Sequence, residues 1–163
     1  MALVRILVDG YSLLHNWLQL APGKPRHSAA ARDELIRRLT LYRDAIATPI
    51  TVVFDGSGPR GGKTARTPTP EMEVLYSRAG QTADDIIERA TVRFQPYGEV
   101  LVVTDDNVER ETVSCHGGMT AGCLNFIDDV ERVLEEQGRA IARHNRAERL
   151  RFKTSRPEKQ PCR

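Results

Sequence analysis

The feature that most constrains this chain is a set of three short apolar runs, each of which closes on an acid. Residues 3–8 (LVRILV) lead into Asp9, residues 49–54 (PITVVF) into Asp55, and residues 99–103 (EVLVV) through Thr104 into Asp105 and Asp106. Runs this rich in Val, Ile and Leu, with little alternation of polar and apolar residues, suit strands buried on both faces. That is the signature of a parallel sheet. A fourth segment, residues 71–77 (EMEVLYS), reads as a strand interrupted by Glu and Met, with helix as the alternative.

Between the runs the period changes. Leu35, Leu39, Tyr42 and Ile46 recur at spacings of four, three and four, which predicts one buried stripe on a helix that starts near Ser28. Asp33 and Glu34 near its start, and Arg37, Arg38 and Arg43 further on, agree with the helix dipole. A second helix is expected over residues 83–94, with Ile86, Ile87, Ala90 and Phe94 on one face. A third is expected over residues 119–136, with Phe126, Ile127, Val130, Val133 and Leu134 inward. Strand and helix alternate, so the predicted fold class is α/β. The expectation is a doubly wound, mainly parallel sheet with right-handed crossovers and a ligand site beyond the carboxyl ends of its strands. Residues 1–137 make the domain; Gly138 is expected to end the last helix and residues 138–163 to form a flexible basic tail.

Length and composition agree with one domain, since 163 residues with 40% hydrophobic and 28% charged content bury a sizeable core. No apolar run approaches the roughly 20 residues that span a bilayer, and Arg5 and Asp9 arrive too early for a signal sequence. The expectation is a cytoplasmic protein without a membrane partner. Cys115, Cys123 and Cys162 lack the spacing of a zinc site or a disulfide framework and read as free thiols. The net charge of +2 conceals an asymmetry. Residues 137–163 hold nine Lys/Arg against two Glu, whereas residues 1–136 hold fifteen against twenty Asp/Glu.

The strand ends bring Asp9, Asp55, Asp105 and Asp106 to one edge of the predicted sheet, and a helix opening at Asp84 and Asp85 starts there too. Each acid alone reads as a helix cap. Thr82-Ala83-Asp84-Asp85 fits a capping box, and Asp105 or Asp106 suits the N-cap of a following helix. Together they read differently, because two carboxylates about 4 Å apart repel by roughly 4 kcal/mol at an effective dielectric near 20, so a tight group stays ionised only around a cation. No Cys or His joins the group, and an all-oxygen ligand set points to Mg²⁺ or Mn²⁺. Such an ion suits in-line attack of water on a phosphodiester, since it lowers the pKa of the water and neutralises charge on the phosphoryl oxygens.

Residues 56–70 (GSGPRGGKTARTPTP) form a loop long enough to be functional or disordered. The GGKT within it is not a P-loop, because Ser57 stands where the pattern requires Gly and prolines follow instead of a helix. Arg60, Lys63 and Arg66 suit flexible contacts to phosphate; a merely solvated loop is the alternative. The basic tail, with Arg143, Arg146, Arg149 and Arg151, has the same two readings. It is nearly free of aromatic residues, so its contribution to RNA binding would be electrostatic and salt-sensitive. His15, just after the first acid, reads as structural or solvated, with a place facing the cleft as the alternative; His116 beside Cys115 lacks a second pair for zinc; and Gly117-Gly118 reads as a turn before the final helix, with a backbone approach to RNA as the alternative.

Taken in order, LVDGYSLLH, ARDELIRRL, ITVVFDG, EVLYSRAGQTADDIIE and VLVVTDDNVER resemble the YacP-like NYN domains, ribonucleases of the PIN-like nuclease group. The resemblance covers most of residues 3–136. It implies a three-layer α/β/α PIN-like fold and metal-dependent endoribonuclease activity leaving 5′-phosphate and 3′-hydroxyl ends. By the same resemblance Asp9, Asp84 and Asp106 are the catalytic and metal-binding acids, Asp105 joins the metal set, and Asp55 and Asp85 are secondary members. RNA is the implied partner, with ribosome-bound mRNA suggested by the family's link to translation. One departure lies inside the first motif, where Ser12 replaces the Asn usual in the family and keeps a hydroxyl for RNA while losing an amide. The rival expectation is a non-catalytic RNA- or ribosome-binding module on the same fold. A haloacid-dehalogenase-like phosphatase fits less well, because Tyr11 stands where that chemistry needs a second Asp.

Overall fold

The computed structural model describes residues 2–56 and 69–154. Five strands, β1 (Leu3–Asp9), β2 (Ile50–Phe54), β3 (Met72–Tyr76), β4 (Glu99–Val103) and β5 (Met119–Ala121), pair in the order β3-β2-β1-β4-β5. Every pairing is parallel. On one face lie α1 (Gly10–Asn16), α2 (Ala29–Ile46) and α5 (Cys123–Thr154); on the other lie α3 (Ala83–Phe94) and α4 (Asn107–Cys115). Ile6, Val8, Ile50, Val52 and Phe54 pack with Leu13, Trp17, Leu35, Leu39 and Phe126 in one core. Leu7, Val53, Val100 and Val102 pack with Ile87 and Val113 in the other. Successive strand residues enter different cores, which is why these runs show no polar alternation.

The interrupted run at residues 71–77 is a strand. Its place at the sheet edge leaves Glu73 room to meet Arg5 at 3.8 Å, which a central strand would not. α1 was not foreseen: it follows β1 without a linker, and Gly10 allows this because a Cβ there would strike the Phe54 ring. Residues 119–121, expected to open the third helix, instead form β5, and the helix starts at Cys123. The Gly117-Gly118 turn therefore precedes a strand; Gly117 has a φ of +80° and a Cβ on Gly118 would lie 2.7 Å from Val113. A three-residue strand is too short to show a period in sequence.

Gly138 does not end the last helix, contrary to expectation, and α5 runs on to Thr154. A glycine inside a helix costs about 1 kcal/mol. Pairs one turn apart along α5 (Arg132 with Glu136, Arg139 with Glu135, Arg151 with Glu148) offset that cost in increments of a few tenths. Residues 155–163 lie outside the described residues. Among those described, no helix is long and apolar enough to cross a membrane, and Cys115 and Cys123 are free thiols.

The chain steps from β1 to β2 and β3 on one side and then crosses back to β4 and β5 on the other. The order thus reverses between β1 and β4, and their carboxyl ends flank the crevice where ligands of open α/β sheets bind.

Candidate metal centre

Three acids from remote parts of the chain meet in that crevice. Asp9 closes β1 and caps α1, its Oδ1 accepting the Ser12 N–H at 3.3 Å. Asp84 lies in the first turn of α3, which a reciprocal capping box between Thr82 and Asp85 starts. Glu109 lies in the first turn of α4. One carboxylate oxygen from each of Asp9, Asp84 and Glu109 lies within 4.8 Å of the others.

The crevice penalises negative charge. Burial pushes the Asp9 carboxyl up to about 6; the Ser12 N–H works against this, and the charges of Asp84 and Asp55 add to it. Asp84 is raised by burial first and then by Asp106, Asp55 and Asp85. Glu109 is 4% exposed, and neither of its oxygens has a hydrogen bond of normal geometry. Burial pushes it up to about 7, the nearby Thr104 hydroxyl offsets a little of this, and Asp84, Asp9 and Asp106 push it further. A buried carboxylate with so little hydrogen bonding is costly, and a cation would offset both that cost and the mutual repulsion of the three acids. An all-carboxylate set suits a hard divalent ion such as Mg²⁺ or Mn²⁺. The residues present therefore fit such an ion.

The other expected acids sit around this trio, each with a local partner. Asp106 is the N-cap of α4, its Oδ1 accepting from Val108 N at 2.8 Å and Glu109 N at 3.4 Å, close enough for its charge to raise both Asp84 and Glu109. Asp105 accepts from Cys123 N at 2.8 Å and anchors the start of α5. Asp55 accepts the Ser77 hydroxyl at 2.7 Å. Asp85 closes the capping box, whose N–H and hydroxyl at Thr82 hold its pKa below the usual carboxylate range. The Ser12 hydroxyl accepts from Asp105 N at 3.3 Å and lies 3.5 Å from the Cys123 sulfur, so it ties α1 to the end of β4.

Glu109 escaped the sequence reading because Asp106-Asn107-Val108-Glu109 looks like a capping box. The box does not form: the Asp106 N–H goes to the Thr104 hydroxyl at 3.1 Å instead. A signal was present nonetheless, since Glu109 and Val113, four apart, make the buried stripe of α4. An acid on an apolar stripe asks for a partner.

Among the described residues, the expected cations lie away from this centre. Arg60, Lys63 and Arg66 lie outside the described residues. Arg143, Arg146, Arg149 and Arg151 are exposed on α5. That helix starts beside Asp105, and Arg143 is twenty residues further on, about 30 Å along the axis at 1.5 Å per residue. Helical spacing puts Arg139, Arg143, Arg146 and Lys153 on one face with Arg149 at its border, whereas Arg151 points elsewhere and pairs with Glu148 at 3.0 Å.

Comparison with known proteins follows this geometry. A profile of the YacP-like NYN domain matches residues 6–160. The chain is 28% identical over 140 residues to the uncharacterized protein YacP of Bacillus subtilis (strain 168), covering 83% of this chain and 82% of that one. The fold is similar to the crystal structure of the W164L mutant of Rae1 (YacP) from Bacillus subtilis, with a TM-score of 0.74 at 24% identity over 88% of this chain and 84% of the other. A second crystal structure of Rae1 (YacP) gives a TM-score of 0.68 at 24% identity over 94% and 89%.

Proposed function

This chain belongs to the YacP-like NYN domain family, and from that premise we propose that it is a metal-dependent endoribonuclease. The observation that carries the reading is the meeting of Asp9, Asp84 and the buried Glu109 within 4.8 Å in the crevice between β1 and β4. These three would hold Mg²⁺ or Mn²⁺, with Asp106, fixed by the N–H groups of α4, adding charge at the rim. A divalent ion bound there supplies a more acidic water and neutralises the phosphoryl oxygens. The protein contributes rigidity: Asp9 is held by α1, Asp84 by the capping box of α3, and Glu109 by burial.

RNA would be held away from the acids. Ser12, Arg60, Lys63, Arg66 and the α5 cations Arg143, Arg146, Arg149 and Arg151 are the residues assigned to it. An RNA that touches both the crevice and Arg143 spans about 30 Å, which favours a long or folded substrate, and ribosome-bound mRNA is such a substrate. The decisive test incubates labelled RNA with the full chain in Mg²⁺ or Mn²⁺, with and without chelator. Chelator-sensitive fragments bearing 5′-phosphates are expected. Binding without cleavage in either metal would replace this reading with that of a non-catalytic RNA-binding module.

A further inference from the structure

Beside the crevice, on the side of α1 and α2, the molecule carries a series of rings in contact that the metal centre does not use. Tyr11, two residues beyond Asp9, meets the buried Phe54 ring edge-on at 5.1 Å, and Phe54 stacks on Tyr76 at 5.6 Å. On its other side Tyr11 lies against the His27 ring at 4.3 Å, and His27 meets His15 at 5.1 Å. Phe54 directly precedes Asp55, so the series leads from the acidic edge of the sheet outward to two exposed imidazoles. Resting on the nuclease reading above, we propose that Tyr11, His15 and His27 form a platform on which an unpaired nucleobase next to the cleaved bond stacks.

Two observations favour a built surface over a chance contact. Arg26 donates to the carbonyls of Leu14, Trp17, Ala21 and Lys24 and so pins the loop that delivers His27. Arg32 donates to the Tyr11 hydroxyl at 3.2 Å and to the His27 carbonyl at 2.7 Å, while a His15 ring nitrogen lies 2.6 Å from the Tyr11 carbonyl. The rings are thus held in place before anything binds, which lowers the ordering cost of binding. Nothing in the core needs the exposed His27 ring.

The chemistry fits RNA in particular. An ion held by the crevice acids would meet the phosphate of the cleaved bond alone, and Arg143 lies about 30 Å along α5, so a strand in the crevice gains from attraction that does not depend on phosphate. Unpaired bases supply this by stacking on aromatic and histidine rings, with little dependence on sequence. Sequence alone hides the platform, because His15 and His27 lie on different segments that no spacing relates.

The test measures binding of short single-stranded RNA oligonucleotides to the full chain carrying Asp84→Asn, with each nucleotide in turn made abasic. One abasic position is expected to weaken binding about tenfold. Adding His27→Ala should weaken binding of intact RNA by a similar factor and remove the penalty at that position, and His27→Trp should restore both. A flat abasic scan, or a His27→Ala protein that binds like its parent, overturns the platform. Cleavage by the unmodified chain separates the two readings. Cutting with a flat scan removes the platform and keeps the nuclease. A position-dependent scan without cutting keeps the platform and removes the nuclease, and absence of both binding and cutting removes both.

Discussion

The acidic crevice and the distal half of α5 are the two charged poles of this molecule, and they are made in opposite ways. In the crevice, Asp9, Asp84 and Glu109 come from three segments separated by up to 100 residues, and the fold forces them together against their mutual repulsion. On α5, Arg139, Arg143, Arg146 and Lys153 line up through helical period alone, and solvent surrounds them. Charge that is concentrated and desolvated can do chemistry at one point; charge that is spread and hydrated can only attract. Under the proposed nuclease function, cleavage belongs to the first pole and affinity to the second, and that division can be broken from either side.

The largest effect is expected from the crevice. Asp84→Asn should lower RNA cleavage at least about 100-fold, since it removes a metal ligand worth several kcal/mol, while binding stays intact or strengthens. Equal cleavage by mutant and parent would detach the chemistry from this pole. The α5 pole is weaker and salt-dependent. Arg143→Ala, Arg146→Ala and Arg149→Ala combined should weaken binding of long RNA at moderate salt and lower the slope of log affinity against log salt by about 2 to 3, leaving cleavage of short oligonucleotides unchanged. An unchanged slope would mean that the helix does not meet phosphate.

Thermal melting sharpens the contrast further. Glu109→Gln should raise the melting temperature of ion-free protein by a few degrees, equivalent to about 1–2 kcal/mol, and abolish the extra stability gained on adding Mn²⁺. A fall in the ion-free melting temperature would show that the Glu109 charge is compensated from within. The smallest effect concerns pH. Asp9 and Glu109 are raised to about 6 and about 7 in the folded chain, so between about pH 4 and 7 the folded state binds more protons than the unfolded state. From these groups, ion-free stability is full below about pH 4 and is lost as pH rises through 6 to 7. Mn²⁺ should therefore raise the melting temperature more at pH 8 than at pH 5, and an equal gain at both would contradict a site made of these carboxylates.

Much of the architecture was legible in particular residues. Leu3–Asp9, Ile50–Phe54 and Glu99–Val103 form the strands their apolar runs predict, and Leu35, Leu39 and Tyr42 face the core as their spacing requires. What escaped was short or decided by contacts at a distance. β5 has three residues, α1 follows β1 with no boundary between them, and α5 passes through Gly138 because its ion pairs outweigh one poor helix former. Among the acids, sequence reading took the strand-end group as a set. The structure separates Asp85, Asp105 and Asp106, whose oxygens already accept N–H groups, from Glu109, whose oxygens accept none.

Local chemistry written into the chain was sufficient to specify a parallel sheet with acids at the carboxyl ends of its strands, because apolar runs and strand-end residues act through nearest neighbours. The charge of the last segment was equally legible, but its helix was not: Gly138 pointed to a helix end, whereas α5 runs on to Thr154. Which carboxylate would be buried on an apolar helix face was decided by the tertiary structure. Burial of Glu109 depends on how α4 packs against α3 and β5, and that packing brings together groups that no spacing along the chain relates.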